Sequence, residues 1–206
     1  MPPKVGDANL KKEKNMDINK IVNFLFEIAT LRRLTRSHRQ MIQEVSDNIS
    51  DHSFRVTIIG MILAELEKCD ANKVLKMCLF HDVAEARIGD ANFINKQYLH
   101  LAEREAQKDQ MKGLPIEKKI LDILEEFEEG ETKEAIVAKD ADLIDQMILQ
   151  QEYFYKDSKN REIWQNHSEK DLKTEFAKKL AQKIRISNPF DWLYKLAEEK
   201  TGETIT

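Results

Sequence analysis

Apolar residues recur at three- and four-residue intervals over most of the chain, the spacing of side chains that line one face of a helix. Ile18, Ile21, Val22, Leu25, Ile28, Ala29 and Leu31 predict a first helix with Asp17 as its cap. Ser50 or Asp51 can cap a second, running through Ile58, Ile59, Ile62, Leu63 and Leu66. A third begins at Asn72, carries Val74, Leu75, Met77, Cys78 and Leu79, and ends at His81-Asp82.

Residues 93–112 are amphipathic and heavily charged, which predicts a surface helix. A Gly113-Leu114-Pro115 break precedes a helix over 116–129, whose Ile120, Ile123, Leu124 and Phe127 share a side. A long helix is expected over 133–155 and a polar connection over 157–170. Two closing helices over 172–186 and 189–199 follow, with Phe176, Leu180, Ile184, Trp192, Leu193 and Leu196 as packing residues. The polar, lysine-rich residues 1–15 read as a flexible tail, 16–200 as one compact helical domain, and 201–206 as a frayed end. The expectation is an all-α, single-domain bundle.

Composition narrows the function. A charged fraction of 34% with only six Gly and four Pro in 206 residues suits a helix-rich soluble protein. The formal net charge of −4 argues against coating a nucleic acid polymer through a broad basic surface, yet leaves room for a small anionic ligand. Cys69 and Cys78, the two cysteines, are too few for a disulfide framework, and no apolar run suffices for a membrane span or signal peptide. A cytoplasmic protein with no membrane partner is expected.

The chemistry concentrates in Leu79-Phe80-His81-Asp82-Val83-Ala84-Glu85-Ala86-Arg87-Ile88-Gly89-Asp90. His81, Asp82 and Glu85 would share one side of a continuing helix, Gly89 offers a stop, and Asp90 lies just outside it. Three carboxylates and an imidazole so close together repel one another unless something positive lies between them, and a divalent cation is the economical candidate. His52 falls in the first turn of its helix, where a histidine more often caps or faces solvent than binds a metal; its place just before a long apolar helix favours the ligand reading. Asp142 lies on a largely apolar stripe, where a carboxylate is costly unless paired or metal-bound. Arg32, Arg33, Arg36, His38 and Arg39 form either a solvated basic helix end or an anion-binding loop, since arginine forks match phosphate oxygens in pairs.

Taken in order, His52, His81-Asp82 and Asp142 resemble the H…HD…D pattern of the HD-domain metal-dependent phosphohydrolases. The stretches Ser50-Asp51-His52-Ser53-Phe54-Arg55 and His81 to Asp90 are similar to the local motifs of the 5'-deoxynucleotidase group within them. The resemblance covers residues 18–155. It implies His52, His81, Asp82 and Asp142 as ligands to one divalent transition metal ion (Co, Mn, Zn, Fe, Ni and Cu are not distinguished, and Mg is also compatible). It implies Glu85 in proton transfer and Asp90 near the attacking water and the sugar. Arg36 matches the group's phosphate-binding arginine, with His38 and Arg39 beside it in the substrate loop; His38 stands near the position of a tryptophan usual in the group. The expected substrate is a nucleotide or another small phosphate compound, with 5'-deoxynucleoside monophosphates foremost. Triphosphate hydrolysis and nucleotide binding without turnover are the alternatives. The apolar closing helices suggest a homodimer.

Overall fold

The computed structural model describes residues 17–41 and 47–201, so the expected tail over 1–15 and the end beyond Thr201 lie outside the described residues. Helices α1 (Ile18–Ile28), α2 (Ile49–Glu67), α3 (Ala71–Phe80), α4 (Glu85–Ile88), α5 (Glu103–Met111), α6 (Glu117–Glu129), α7 (Lys133–Tyr153), α8 (Ser158–Glu169), α9 (Glu175–Ile186) and α10 (Asp191–Thr201) account for most of them. Among the described residues there is no strand, only an isolated bridge between Thr35 and Asn48, and the all-α expectation holds. The chain forms two compact units, Met1–Ser53 with Leu79–Glu126 and Phe54–Cys78 with Phe127–Thr206.

In the first unit Asp17 caps α1, its Oδ1 accepting from the Asn19 and Lys20 N–H groups at 3.0 and 3.3 Å. The buried face of α1 is centred on Phe24, with Ile21 and Ile28 one turn to either side, while Ile18, Val22 and Leu25 are exposed. The predicted face is therefore rotated, because the large ring of Phe24 goes inward and carries its helical neighbours with it. Phe24, Val83, Met111, Leu114, Ile120 and Leu124 form this unit's core, which Phe80 flanks. The start of α2 also departs from expectation: Asn48, not Ser50 or Asp51, caps it, its Oδ1 accepting from the Asp51 N–H at 3.0 Å. The expected helix over 93–112 is split into a short 3₁₀ turn, Asn95–Gln97, and α5. The Asn92 side chain nucleates the turn by accepting from the N–H groups of Ile94 and Asn95. Nor is α5 purely superficial, since Ala106, Gln110 and Met111 are buried.

In the second unit α7 packs against α8 and α9. The segment over 157–170, expected to be a connection, is helix α8, capped by Asp157 through the Asn160 N–H at 3.1 Å. Its buried side is polar: Gln165 donates to the Met147 carbonyl at 3.3 Å and to Gln151 Oε1 at 2.9 Å, so apolar periodicity could not reveal it. Trp192, Leu193 and Leu196, expected to pack, are exposed on α10.

Gly60 in α2 has a packing purpose. A Cβ there would lie 2.5 Å from Cys78 Sγ and 3.1 Å from a Val74 methyl group. Gly60→Ala, which should raise intrinsic helix stability, is instead expected to destabilise the protein by about 1–3 kcal/mol in denaturant unfolding. Combining it with Cys78→Ala should recover part of that loss.

Candidate metal centre

His52 sits in the first turn of α2 and His81 immediately after α3, and both are buried. Their Nε2 atoms face each other at 3.3 Å, and Asp82 Oδ2 lies 3.4 Å from His52 Nε2 and 3.2 Å from His81 Nε2. Helix α3 ends at the His81-Asp82 pair, as the sequence suggested, and is not continued by the residues that follow. Residues 81–84 form a tightened turn in which the Val83 N–H bonds the Phe80 carbonyl and the Glu85 N–H bonds that of Asp82, both at 3.0 Å. Helix α4 then runs from Glu85 to Ile88 and stops at Gly89, whose φ of 77° is the left-handed geometry that favours glycine.

Three donor atoms 3.2–3.4 Å apart match the edges of a coordination polyhedron around a first-row ion, where ligand bonds of about 2.0–2.2 Å are usual. Two imidazoles and a carboxylate make a mixed nitrogen and oxygen set suited to Zn, Mn, Fe, Co or Ni. The surrounding electrostatics point the same way. Burial alone would raise the Asp82 carboxyl, but the adjacent His81 charge and hydrogen bonds from His52 and His81 hold it well below the usual carboxylate range. Glu85 goes the opposite way: burial first, then the carboxylates of Asp82 and Asp90, push it up to about 9 against the opposing pull of Arg36 and His52. Its buried Oε2 has no hydrogen-bond partner. An orphaned acidic oxygen close to a cluster of acceptors is what a cation or a reacting proton relieves.

The arginine loop divides. Arg36 is largely buried, its NH1 3.3 Å from Asp82 Oδ2 and 3.8 Å from Asp90 Oδ2. Asp90 Oδ2 also accepts the Ser37 N–H at 2.7 Å, pinning the turn that carries Arg36, a contact no sequence pattern announced. His38 lies instead against Asp47, 3.4 Å from Nε2 to Oδ1, and Arg39 is exposed. Of the three residues expected to bind substrate, Arg36 alone is joined by these contacts to Asp82 and Asp90.

In the second unit, the three aspartates of α7 differ in their commitments. Asp140 is buried and accepts from the N–H groups of Lys173 at 2.9 Å and Thr174 at 2.7 Å. Asp145 is buried and paired with the Arg55 guanidinium, which also reaches Glu152 at 3.1 Å. Asp142 is half-buried, accepts a long 3.4 Å bond from Gln146, and is the charge that, after burial, helps push the Cys78 thiol up to about 12.

A family model described as HD domain matches residues 28–185, most of the chain and parts of both units. The chain belongs to the HD-domain family. Among similar HD-domain proteins, the 5'-deoxynucleotidase HDDC2 of Mus musculus is 28% identical over 141 residues, 65% of this chain and 69% of its own. The Dictyostelium discoideum protein of the same name is 31% identical over 122 residues, 53% of this chain and 64% of its own. A solved structure of a conserved hypothetical protein from Pyrococcus furiosus matches with a TM-score of 0.67 at 27% identity, over 80% of this chain and 98% of that one. A structure titled predicted metal-dependent phosphohydrolase, from Magnetospirillum magnetotacticum MS-1, has a TM-score of 0.59 over 82% of this HD-domain chain and 93% of that one; at 19% identity it supports the fold alone.

Proposed function

We propose that this chain is a metal-dependent phosphohydrolase that removes phosphate from 5'-deoxynucleoside monophosphates. The observation that carries the reading is the convergence of His52, His81 and Asp82 at 3.2–3.4 Å, with the Arg36 guanidinium on the same aspartate. In this reading these three residues and Asp142 hold one divalent ion. The place of Asp142 in the sequence, after the His-Asp pair and on a largely apolar helical stripe, supports it as the fourth ligand. An ion bound there lowers the pKa of a water and neutralises phosphoryl charge.

The chain's own residues do the rest. Arg36 binds the phosphoryl oxygens through its guanidinium, in a pose held by Asp90 through the Ser37 N–H. Hydrolysis forms a bond from water oxygen to phosphorus and breaks the one from phosphorus to O5', whose leaving oxygen requires a proton. Glu85, whose pKa is pushed up by burial and by the carboxylates of Asp82 and Asp90, is the group placed to deliver it. One buried guanidinium, with His38 held by Asp47 and Arg39 exposed, favours a single phosphate over a triphosphate tail. Among the described residues no helix is long and apolar enough to cross a membrane. We read the chain as a cytoplasmic homodimer, with the exposed Trp192, Leu193 and Leu196 of α10 in support of the second point.

Product analysis across deoxynucleoside mono- and triphosphates, with Co²⁺, Mn²⁺ or Zn²⁺ supplied, tests the reading. Inorganic phosphate from monophosphates is expected. Tripolyphosphate from triphosphates alone would make the chain a triphosphate hydrolase, and tight nucleotide binding without any product would make it a binding module.

A further inference from the structure

The turn over 81–84 is gripped from its far side by a network that the chemistry above does not use. Gln110 of α5 is fully buried, and its Nε2 donates to the Val83 carbonyl at 3.1 Å and to Glu27 Oε1 at 2.9 Å. Glu27, on α1, also receives the Arg87 guanidinium in a two-armed pair, Nε to Oε1 and NH2 to Oε2, the latter at 3.0 Å. The Arg87 hydrogen bond, against burial and with help from Gln110, keeps Glu27 ionised below the usual glutamate range. Residues distant in sequence thus bracket segment 83–87, with Glu85 in its middle.

The backbone explains what Gln110 is needed for. In a continuing α-helix the Val83 carbonyl would accept from the Arg87 N–H. Here that N–H bonds Ala84 at 2.8 Å, and only the Ala86 N–H reaches Val83, at 3.3 Å. Gln110 supplies the partner that the tightened turn leaves short. Its own Oε1 is buried with no hydrogen-bond partner, a cost that an apolar side chain of the same length would avoid. The amide is tied to this position by the two acceptors it serves, the Val83 carbonyl and Glu27 Oε1.

We propose that Gln110, held by Glu27, is a positioning residue for the metal site: it fixes the Val83 carbonyl, and through it the directions of His81 and Asp82 on one side and Glu85 on the other. The inference rests on the reading that His81 and Asp82 hold a divalent ion. Gln110→Met keeps the length and removes the donor. Titrating Co²⁺ into the metal-free full-length protein should show affinity about 10–100-fold weaker than wild type, the range for partners that orient metal ligands. Hydrolysis should lose kcat by a similar factor with KM within about twofold, and the metal-free Tm should stay within about 4 °C of wild type. Arg87→Met, at an exposed position, severs the other arm and should weaken Co²⁺ binding about 3–10-fold; it decides the matter if Gln110→Met does not fold. Unchanged Co²⁺ affinity, or a change in KM alone, would overturn the proposal. If the wild type binds Co²⁺ but releases no phosphate, the hydrolase reading falls while the affinity ratio still decides the role of Gln110.

Discussion

Replacing His81 with alanine is expected to abolish metal content and phosphate release together, and replacing Asp82 to do the same. The two residues contribute adjacent corners of a three-atom cluster whose members lie 3.2–3.4 Å apart, so losing either removes a ligand and opens the cage. Metal bound by the purified variants should fall below about a tenth of an equivalent, because a site short of a ligand holds its ion too weakly to survive purification. Asp82→Asn is the sharper version. It keeps the shape but removes the charge that both imidazoles and Arg36 face, and it should lose metal nearly as completely as the alanine variant. Elemental analysis and a phosphate assay on the same sample decide it; full activity in either alanine variant would sink the assignment.

Glu85→Gln is expected to separate the ion from the chemistry. The variant should keep its metal, since Glu85 is outside the proposed ligand set, and lose about 10²–10⁴-fold in kcat, the usual contribution of a positioned acid or base. A pH effect accompanies it. The folded-state pKa of Glu85, about 9, lies above its ordinary 4.5, so between those values the folded protein binds a proton that the unfolded chain has lost. Stability from this group is fully present below about pH 4.5 and is lost as pH rises towards 9, at up to about 1.4 kcal/mol per pH unit. Glutamine has no proton to lose. Thermal melts of the metal-free proteins should therefore show Glu85→Gln gaining on wild type steadily from pH 5 to pH 8.5, and a constant difference would contradict the buried, protonated Glu85.

Features written in local chemistry were legible in the sequence. Asp17 as a cap, Gly89 as a stop and the long α7 all follow from propensities that act within one or two turns. The inward-facing residue of α1 was not legible, because Val22, Leu25 and Phe24 are all apolar and only tertiary packing selects Phe24. Helix α8 was missed for the complementary reason: its buried contacts run through Gln165 and Ser168, which periodicity reads as solvent-facing.

In the site itself, His52, His81 and Asp82 stand out in the sequence by motif, and their donor atoms lie 3.2–3.4 Å apart. The loop from Arg36 to Arg39 was legible only as a basic cluster. Nothing local distinguishes Arg36, turned towards Asp82 and Asp90, from His38, turned towards Asp47. That choice is made by the bond between the Ser37 N–H and Asp90, a long-range contact. Gln110 was invisible for the same reason, since its value lies in a carbonyl 27 residues away.

Metal-dependent hydrolysis is tested by inorganic phosphate release from deoxynucleoside 5'-monophosphates, using wild-type protein stripped with chelator and then reloaded with Co²⁺, Mn²⁺ or Zn²⁺. Turnover should disappear on stripping and return with one equivalent of metal per chain. Undiminished turnover by the stripped protein, or stoichiometric metal with no phosphate released from any monophosphate, would contradict it.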